Sequence, residues 1–293
     1  MTDYTSRQLT TNALTDGDRK FFADYGYLIL RGALKSDIHW IQTEFDRLFR
    51  EIYDQWHVNM NPDRRRYMIT PFIDRSPRLA TLLDHPAIDG VLTSLFGENW
   101  SYLPGEGNYF HGGTGWHTDG PPTTVQFTKI AVYLEPVARG TGCLQFVAGS
   151  HQPGYSIPPP FQLAQTYDGQ EVPAVAAETE PGDLLVFHHM TYHASAGHQT
   201  QRRMFTINAC PPLVSAQDAD EFRSYLDRTV KYAMNRTRQY YPAYLMNTLY
   251  DTNIIESAPP ARLSHLQLAK EWDPVVAQLC AEYLRSPLQG WHW

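Results

Sequence analysis

The chain has 293 residues, 42% hydrophobic and 13% aromatic, which is enough for a sizeable buried core. Its formal net charge of −7 gives no global attraction for nucleic acid or an anionic membrane surface. No apolar run approaches the ~18 residues of a membrane span, so a protein with neither nucleic-acid nor membrane partner is expected.

The N-terminal "MTDYTSRQLTTN" lacks the apolar core of a signal peptide. Cys143, Cys210 and Cys280 are an odd, scattered set that suits a reducing compartment, so a cytoplasmic location is expected. Asp16 is the expected cap of a short helix through "DRKFFADYG", with Gly26 as its stop. "YLILRG" then reads as a short strand. Ser36 or Asp37 opens a longer helix, in which Ile38, Ile41, Phe45, Leu48, Phe49 and Ile52 recur at helical spacing. The "RRR" run, Arg64 to Arg66, reads as a solvated helix face or as a clamp for an anionic substrate. "SPRLATLLDHPAIDGVLTSLFG" suggests two further short helices, so the chain to about residue 98 is read as mostly helical.

From about 99 to 212 the character changes. "NYFHG", "TVQFTKIAVYLEPV", "GCLQFVAGSH", "GDLLVFHH" and "RRMFTINACPP" are short β-branched or aromatic runs punctuated by Gly, Pro, Asn and Asp. That pattern predicts an antiparallel sandwich or barrel. Between them, Gln152 to Glu180 is long, proline-rich and without clear periodicity, and it reads as a lid carrying Tyr155, Phe161 and Tyr167. From about 213 to 293 the chain turns helical again, in "DADEFRSYLDRTVKYAMNR", "PPARLSHLQLAKEW" and "PVVAQLCAEYL". Aromatic "RQYYPAYLMNTLY" lies among them as a pocket wall or dimer contact. Helices around one β core predict a single α+β domain spanning 1–293, as monomer or homodimer.

Within the β region, "GWHTDG" places His117 and Asp119 two residues apart. On a strand that spacing sends both side chains to one face. An imidazole and a carboxylate suit a borderline divalent metal, and a second histidine would complete the facial set used for non-haem Fe(II). His111, His151, His188, His189, His193 and His198 are the candidates. His193 stands out in "PGDLLVFHHMTYHASAGHQTQRRMFTINA", where a strand precedes it and arginines open the return strand. An arginine beside an open iron site suits a dicarboxylate cosubstrate, binding its distal carboxylate while the 2-oxo acid end chelates metal.

"LTDGDRKFFADYGYLILRGAL", "GWHTDG", "AVYLEPVARGTGCLQFVAGSH" and "PGDLLVFHHMTYHAS" together, in this order, resemble the phytanoyl-CoA dioxygenase family of Fe(II)/2-oxoglutarate oxygenases. The resemblance implies a double-stranded β-helix, a distorted cupin-like jelly roll with packed N- and C-terminal helices. It also implies iron on His117, Asp119 and His193, with 2-oxoglutarate and O2 as cosubstrates. Ser195 and Arg202 match the family's residues for the 2-oxoglutarate carboxylate, with Arg203 as the alternative to Arg202. Here the turn reads His193-Ala194-Ser195 where the family usually has glycine at its centre, and its loop is shorter before the arginine.

Lys129 shares a face with Ala131 and Tyr133, and either reaches cosubstrate inside the barrel or extends to the rim. Asn108 is a second candidate cosubstrate contact. Trp116, Tyr155, Phe161 and Tyr133 are the candidate substrate contacts. The reaction implied is hydroxylation of a C–H bond in a small metabolite, with release of succinate and CO2. The alternatives are desaturation or epoxidation with the same cofactors, and a non-catalytic or zinc-dependent cupin-like protein. Asp119 argues against halogenation, since halogenases of the family have a small residue there.

Overall fold

The computed structural model describes residues 7–8, 13–55, 66–120, 123–155, 172–195, 201–240 and 250–285. Near the N-terminus, β1 (Arg7–Gln8) runs parallel to β2 (Tyr27–Arg31), and α1 (Asp16–Tyr25) leads into β2. Thr15, not Asp16, caps α1: its hydroxyl accepts from Asp18 N–H, and Asp18 Oδ2 accepts from Thr15 N–H at 2.7 Å. A carboxylate at the third helical position can reach back to the cap, which Asp16 at the first cannot. Gly26 ends the helix in the left-handed conformation, φ 79°, as expected.

Next come α2 (Ile38–Gln55), β3 (Arg66–Ile69), α3 (Pro77–Ala80) and α4 (Pro86–Phe96). The stretch to residue 98 is therefore not simply helical, because β2 and β3 both join the main sheet. Arg66 opens a strand, so its reading as a solvated helix face fails. Arg64 and Arg65 lie outside the described residues.

The β core adds β4 (Ser101–Leu103), β5 (Gly107–His111), β6 (Thr114–His117), β7 (Thr128–Tyr133), β8 (Leu144–Phe146) and β9 (Val175–Ala177). It is completed by β10 (Leu184–His188), β11 (His193–Ser195) and β12 (Gln201–Cys210). One sheet runs β1-β2-β10-β7-β12-β5-β3, with β4 also on β12. The other runs β6-β11-β8-β9. Strand β9 falls inside the stretch read as a lid, so that stretch ends in sheet rather than loop. Residues 156–171, with Phe161 and Tyr167, lie outside the described residues.

Side-chain alternation splits the large sheet into two faces. Leu28, Leu30, Ile130, Val132, Val186 and Phe205 point to α2 and α4, meeting Ile41, Phe45, Phe49, Ile88 and Val91. Tyr27, Ile29, Ala131, Tyr133, Leu185 and Phe187 point the other way, onto Leu144, Phe146 and Ala177 of the small sheet and onto Cys143 just before β8. The chain is thus α+β, a distorted jelly roll with helices packed outside and a lumen between the sheets.

The C-terminal part has α5 (Ala216–Tyr240), α6 (Thr252–Glu256), α7 (Pro260–His265) and α8 (Gln267–Arg285). The stretches "QLAKEW" and "PVVAQLCAEYL" form one helix, α8, which runs through Pro274; that residue sits on the exposed side, where the freed carbonyl can meet water. Phe222, Tyr225 and Leu226 of α5 and Val276 of α8 pack with Leu103, Phe127 and Cys210, closing one end of the barrel. Among the described residues, no helix is long and apolar enough to cross a membrane.

Candidate metal centre

His117 ends β6 and His193 begins β11, and the two are directly paired across the strands. This puts their ring centroids 4.3 Å apart. The strand before His193 stops at His188, so His193 is not the end of that strand but the start of the next. Asp119 is not on β6 either; it lies in the bend beyond, where its N–H donates to His189 O at 2.9 Å. That backbone bond, rather than strand alternation, turns its carboxylate toward the histidines.

His117 Nε2 is 3.7 Å from Asp119 Oδ1, and His193 Nε2 is 3.7 Å from Asp119 Oδ2. One ligand atom from each residue lies within 4.8 Å of the other two. Each ring's Nδ1 donates to a carbonyl, His117 to Gly115 O at 2.8 Å and His193 to Thr191 O at 2.9 Å. Both Nε2 lone pairs are therefore left facing the shared centre. Asp119 Oδ2 is buried and ion-paired with the Lys129 ammonium at 2.9 Å, while Oδ1 is turned toward His117 Nε2. Two imidazole nitrogens aimed at one point and a carboxylate, whose oxygens each accept more than one partner, fit a divalent cation.

The electrostatics favour the metal-binding protonation states. Burial pushes His193 down to about 4, with neighbouring His117 adding to the effect. Burial would raise the Asp119 carboxyl, but Lys129 and the two histidines together outweigh it and hold Asp119 below the usual carboxylate range. Burial would lower Lys129, yet Asp119 and then Glu106 more than offset it and keep the ammonium charged. Lys129 is therefore inside the barrel against Asp119, not at the rim.

On the opposite sheet, Arg202 of β12 is 3% exposed. It donates to Gly112 O at 2.8 Å and to Ser195 Oγ at 3.1 Å, and its guanidinium lies 4.6 Å from the centre of the Phe110 ring. Its Nε is buried without a partner. Gly142, at φ +111°, presses on the guanidinium; a Cβ there would stand 2.7 Å from it. Tyr133 lies beside Arg202, and burial raises its hydroxyl to about 12. Arg203, one residue on, points outward to Asp46 at 2.7 Å and Glu135 at 2.5 Å. Alternation thus separates the two arginines, and only Arg202 faces the lumen with Ser195.

Asn108 is 1% exposed, accepts from Arg66 Nε at 2.6 Å, and leaves its Nδ2 unpaired. Trp116 is partly exposed and belongs to none of the three hydrophobic clusters. Tyr155 is 49% exposed, which does not suit a pocket wall in this conformation. His111 is partly exposed at the end of β5, His188 accepts from Met190 N–H, and His189 Nε2 meets Asn208 Oδ1 at 3.2 Å. His151 bonds Ala23 O at 3.0 Å, and His198 lies outside the described residues.

Sequence reasoning missed Glu106, Asn208, Gly142, Phe146 and Phe187 around this lumen. The tight "GTGC" turn was the signal for Gly142, because a glycine with positive φ marks a close approach. An open groove of about 660 Å³ bounded by Arg31, Lys35, Glu178 and Asp183 shares no residue with the centre.

The profile of the phytanoyl-CoA dioxygenase family (PhyH) matches residues 22–205. Dioxygenase lolE1 of Epichloe uncinata is 31% identical over 96 residues, covering 31% of this chain and 36% of that protein. The chain thus spans about a third of the length of this curated relative. Among solved structures, HygX from Streptomyces hygroscopicus with nickel and 2-oxoglutarate bound matches at TM-score 0.53 and 18% identity, over 69% of this chain and 89% of that one. Apo EctD from S. alaskensis matches at 0.55 and 19%, over 71% and 81%. The non-heme alpha-ketoglutarate-dependent carbocyclase SnoK from nogalamycin biosynthesis matches at 0.51 and 19%, over 68% and 84%. At these identities the likeness is one of fold.

Proposed function

Because this chain belongs to the phytanoyl-CoA dioxygenase family, and is an oxygenase using Fe(II), 2-oxoglutarate and O2, we propose that it hydroxylates a C–H bond of a small molecule at His117, Asp119 and His193. The observation that carries this reading is the convergence of those three ligand atoms within 4.8 Å, on the lumen side. When bound, the iron and its cosubstrate supply the oxidising chemistry: 2-oxoglutarate and O2 become succinate and CO2, and one oxygen atom goes to the substrate.

The chain's own part is positioning and exclusion of water. His117 and His193 offer Nε2 because Gly115 O and Thr191 O hold the opposite nitrogen. Arg202 and Ser195 receive the distal carboxylate of 2-oxoglutarate, and the unpaired Nε of Arg202 supports that role. Phe146 and Phe187 wall His193 with ring centroids 5.9 and 5.0 Å away, keeping that side of the centre dry. The helical ends belong to the same oxygenase domain, since α2 and α4 share one hydrophobic cluster with β2, β7 and β10, and α5 and α8 share another with β4 and β12.

The test is incubation of candidate metabolites with the enzyme, Fe(II), ascorbate and 2-oxoglutarate. Hydroxylation requires succinate together with a product heavier by one oxygen atom. A product lighter by two hydrogens would replace this reading with desaturation. Bound zinc with no 2-oxoglutarate turnover would replace it with a cupin-like zinc protein.

A further inference from the structure

Arg66, Phe110 and Arg202 stand opposite one another across β3, β5 and β12, in register. Both guanidinium groups lie over the Phe110 ring, at 5.5 Å for Arg66 and 4.6 Å for Arg202. Arg66 therefore faces the lumen, on the side of Asn108 and Phe110. It donates through Nε to Asn108 Oδ1 at 2.6 Å, to Tyr232 Oη of α5 at 3.2 Å, and to Glu106 Oε1 at 2.8 Å. A guanidinium only donates, so the amide atom it touches must be the oxygen. This orients Asn108, on the lumen face of β5, and leaves its Nδ2 buried and without a hydrogen-bond partner.

The second observation is the charge inside the barrel. Among the described residues, Arg66, Lys129 and Arg202 supply three positive charges, and Glu106 and Asp119 two negative ones. Arg66 pairs with Phe110, Phe110 with Arg202, and Met204 with Tyr133, so alternation along β3, β5, β12 and β7 sets Arg66, Arg202, Tyr133 and Lys129 on one face of the large sheet, and the Arg66 cluster shares the lumen with Lys129. A divalent metal adds two positive charges and 2-oxoglutarate removes two. The loaded lumen keeps one excess positive charge, and an uncompensated charge away from water is costly.

We propose that the substrate is a monoanion, a small carboxylic acid, whose carboxylate docks on Asn108 Nδ2 with the Arg66 charge behind it. This rests on the oxygenase reading above and names its substrate class. Asn108 makes the contact, while Arg66 is a positioning residue that orients the amide and sets the local charge. The acid compensates the excess charge and fills the unmet donor, which a neutral molecule or an amine does not do. The other source of a carboxylate is the metal-side end of 2-oxoglutarate itself, and the test separates the two.

Full-length protein loaded with Co(II) is first titrated with 2-oxoglutarate, followed by the cobalt absorption spectrum. At saturating 2-oxoglutarate, isotope-labelled acetate is added and its NMR line broadening by the cobalt is measured, with acetamide as the neutral isostere. Saturable broadening by acetate and none by acetamide is expected. Acetate affinity should fall about tenfold or more in both Arg66→Met and Asn108→Leu, should be retained in Arg66→Lys, and 2-oxoglutarate affinity should hold in all three. If Arg66→Met does not fold, Asn108→Leu alone decides. Equal broadening by acetamide, no saturable acetate site, or acetate binding that survives Asn108→Leu overturns the proposal. Loss of 2-oxoglutarate affinity in the variants, with acetate unchanged, assigns the subsite to the cosubstrate and also overturns it. No spectral response of wild-type protein to 2-oxoglutarate is the separate signature that the oxygenase reading itself has failed.

Discussion

Lys129 Nζ stands 2.9 Å from Asp119 Oδ2, so a buried ammonium guards the only carboxylate of the candidate metal set. Without metal, this ammonium offsets the Asp119 charge. With metal, it repels the cation. Lys129→Met should lower the stability of metal-free protein by roughly 3–5 kcal/mol, as an unpaired buried charge does. It should also enlarge the stabilisation gained on adding Ni(II), because the metal then replaces the missing cation. Thermal melts with and without Ni(II) check this, and an unchanged metal-induced shift would count against it.

Alanine at His117, Asp119 or His193 should remove bound metal and turnover while leaving the far-ultraviolet circular dichroism intact. His188→Ala should keep both, since His188 Nδ1 accepts from Met190 N–H and is not among the three converging residues. Metal content by mass spectrometry after dialysis decides it. Metal retained in His193→Ala and lost in His188→Ala would reverse the ligand assignment.

Arg202→Ala should raise the 2-oxoglutarate requirement strongly, because truncating one side of a buried charged pair costs about 2–5 kcal/mol. Arg203→Ala should leave that requirement near wild type and cost about 1 kcal/mol of stability at most, as its partners Asp46 and Glu135 are partly exposed. Gly142→Ala should mimic Arg202→Ala in milder form, since its Cβ would displace the guanidinium and its positive φ resists a side chain. Steady-state succinate formation against 2-oxoglutarate concentration ranks the three, and Arg203→Ala as the most impaired would move the role to Arg203.

Outside the site, Asp74 is fully buried, accepts from Tyr102 Oη and from Asp251 N–H, and burial raises its carboxyl to about 7. A carboxyl raised on folding binds its proton more tightly in the native state. Its stabilising contribution is complete below the ordinary carboxylate range, near pH ~4, and is lost as pH rises through about 7. Asp74→Asn should remove this dependence, so its melting temperature relative to wild type should improve from pH 5 to pH 8 (both ~). A difference that does not vary with pH would show that Asp74 is not titrating there.

Much of this was legible in the sequence, for physical reasons. The apolar spacing of Ile41, Phe45 and Phe49 marks a helix face, and all three are buried. The alternation that groups Lys129, Ala131 and Tyr133 on one face follows from the strand pleat, and Ala131 and Tyr133 do share the inner cluster. The cross-strand pairing of His117 with His193 was not legible, because register between segments 76 residues apart is a tertiary property, set by β6 meeting β11. Nor was the inward turn of Arg66: a run of three arginines has no period of its own, and only the pairing of β3 with β5 places it over Phe110.

The candidate metal ligands stand on or beside the small sheet, through β6 and β11, whereas Arg202 stands on β12 of the large one. The two halves of the site are joined mainly by packing between sheets, through Tyr133, Phe146, Phe187 and their neighbours. Gentle heating or mild denaturant that loosens this packing should therefore dissociate the halves in sequence. The protein should pass through a state that still sequesters metal on the His117–His193 pair but has lost its grip on the cosubstrate, so inactivation should precede metal release.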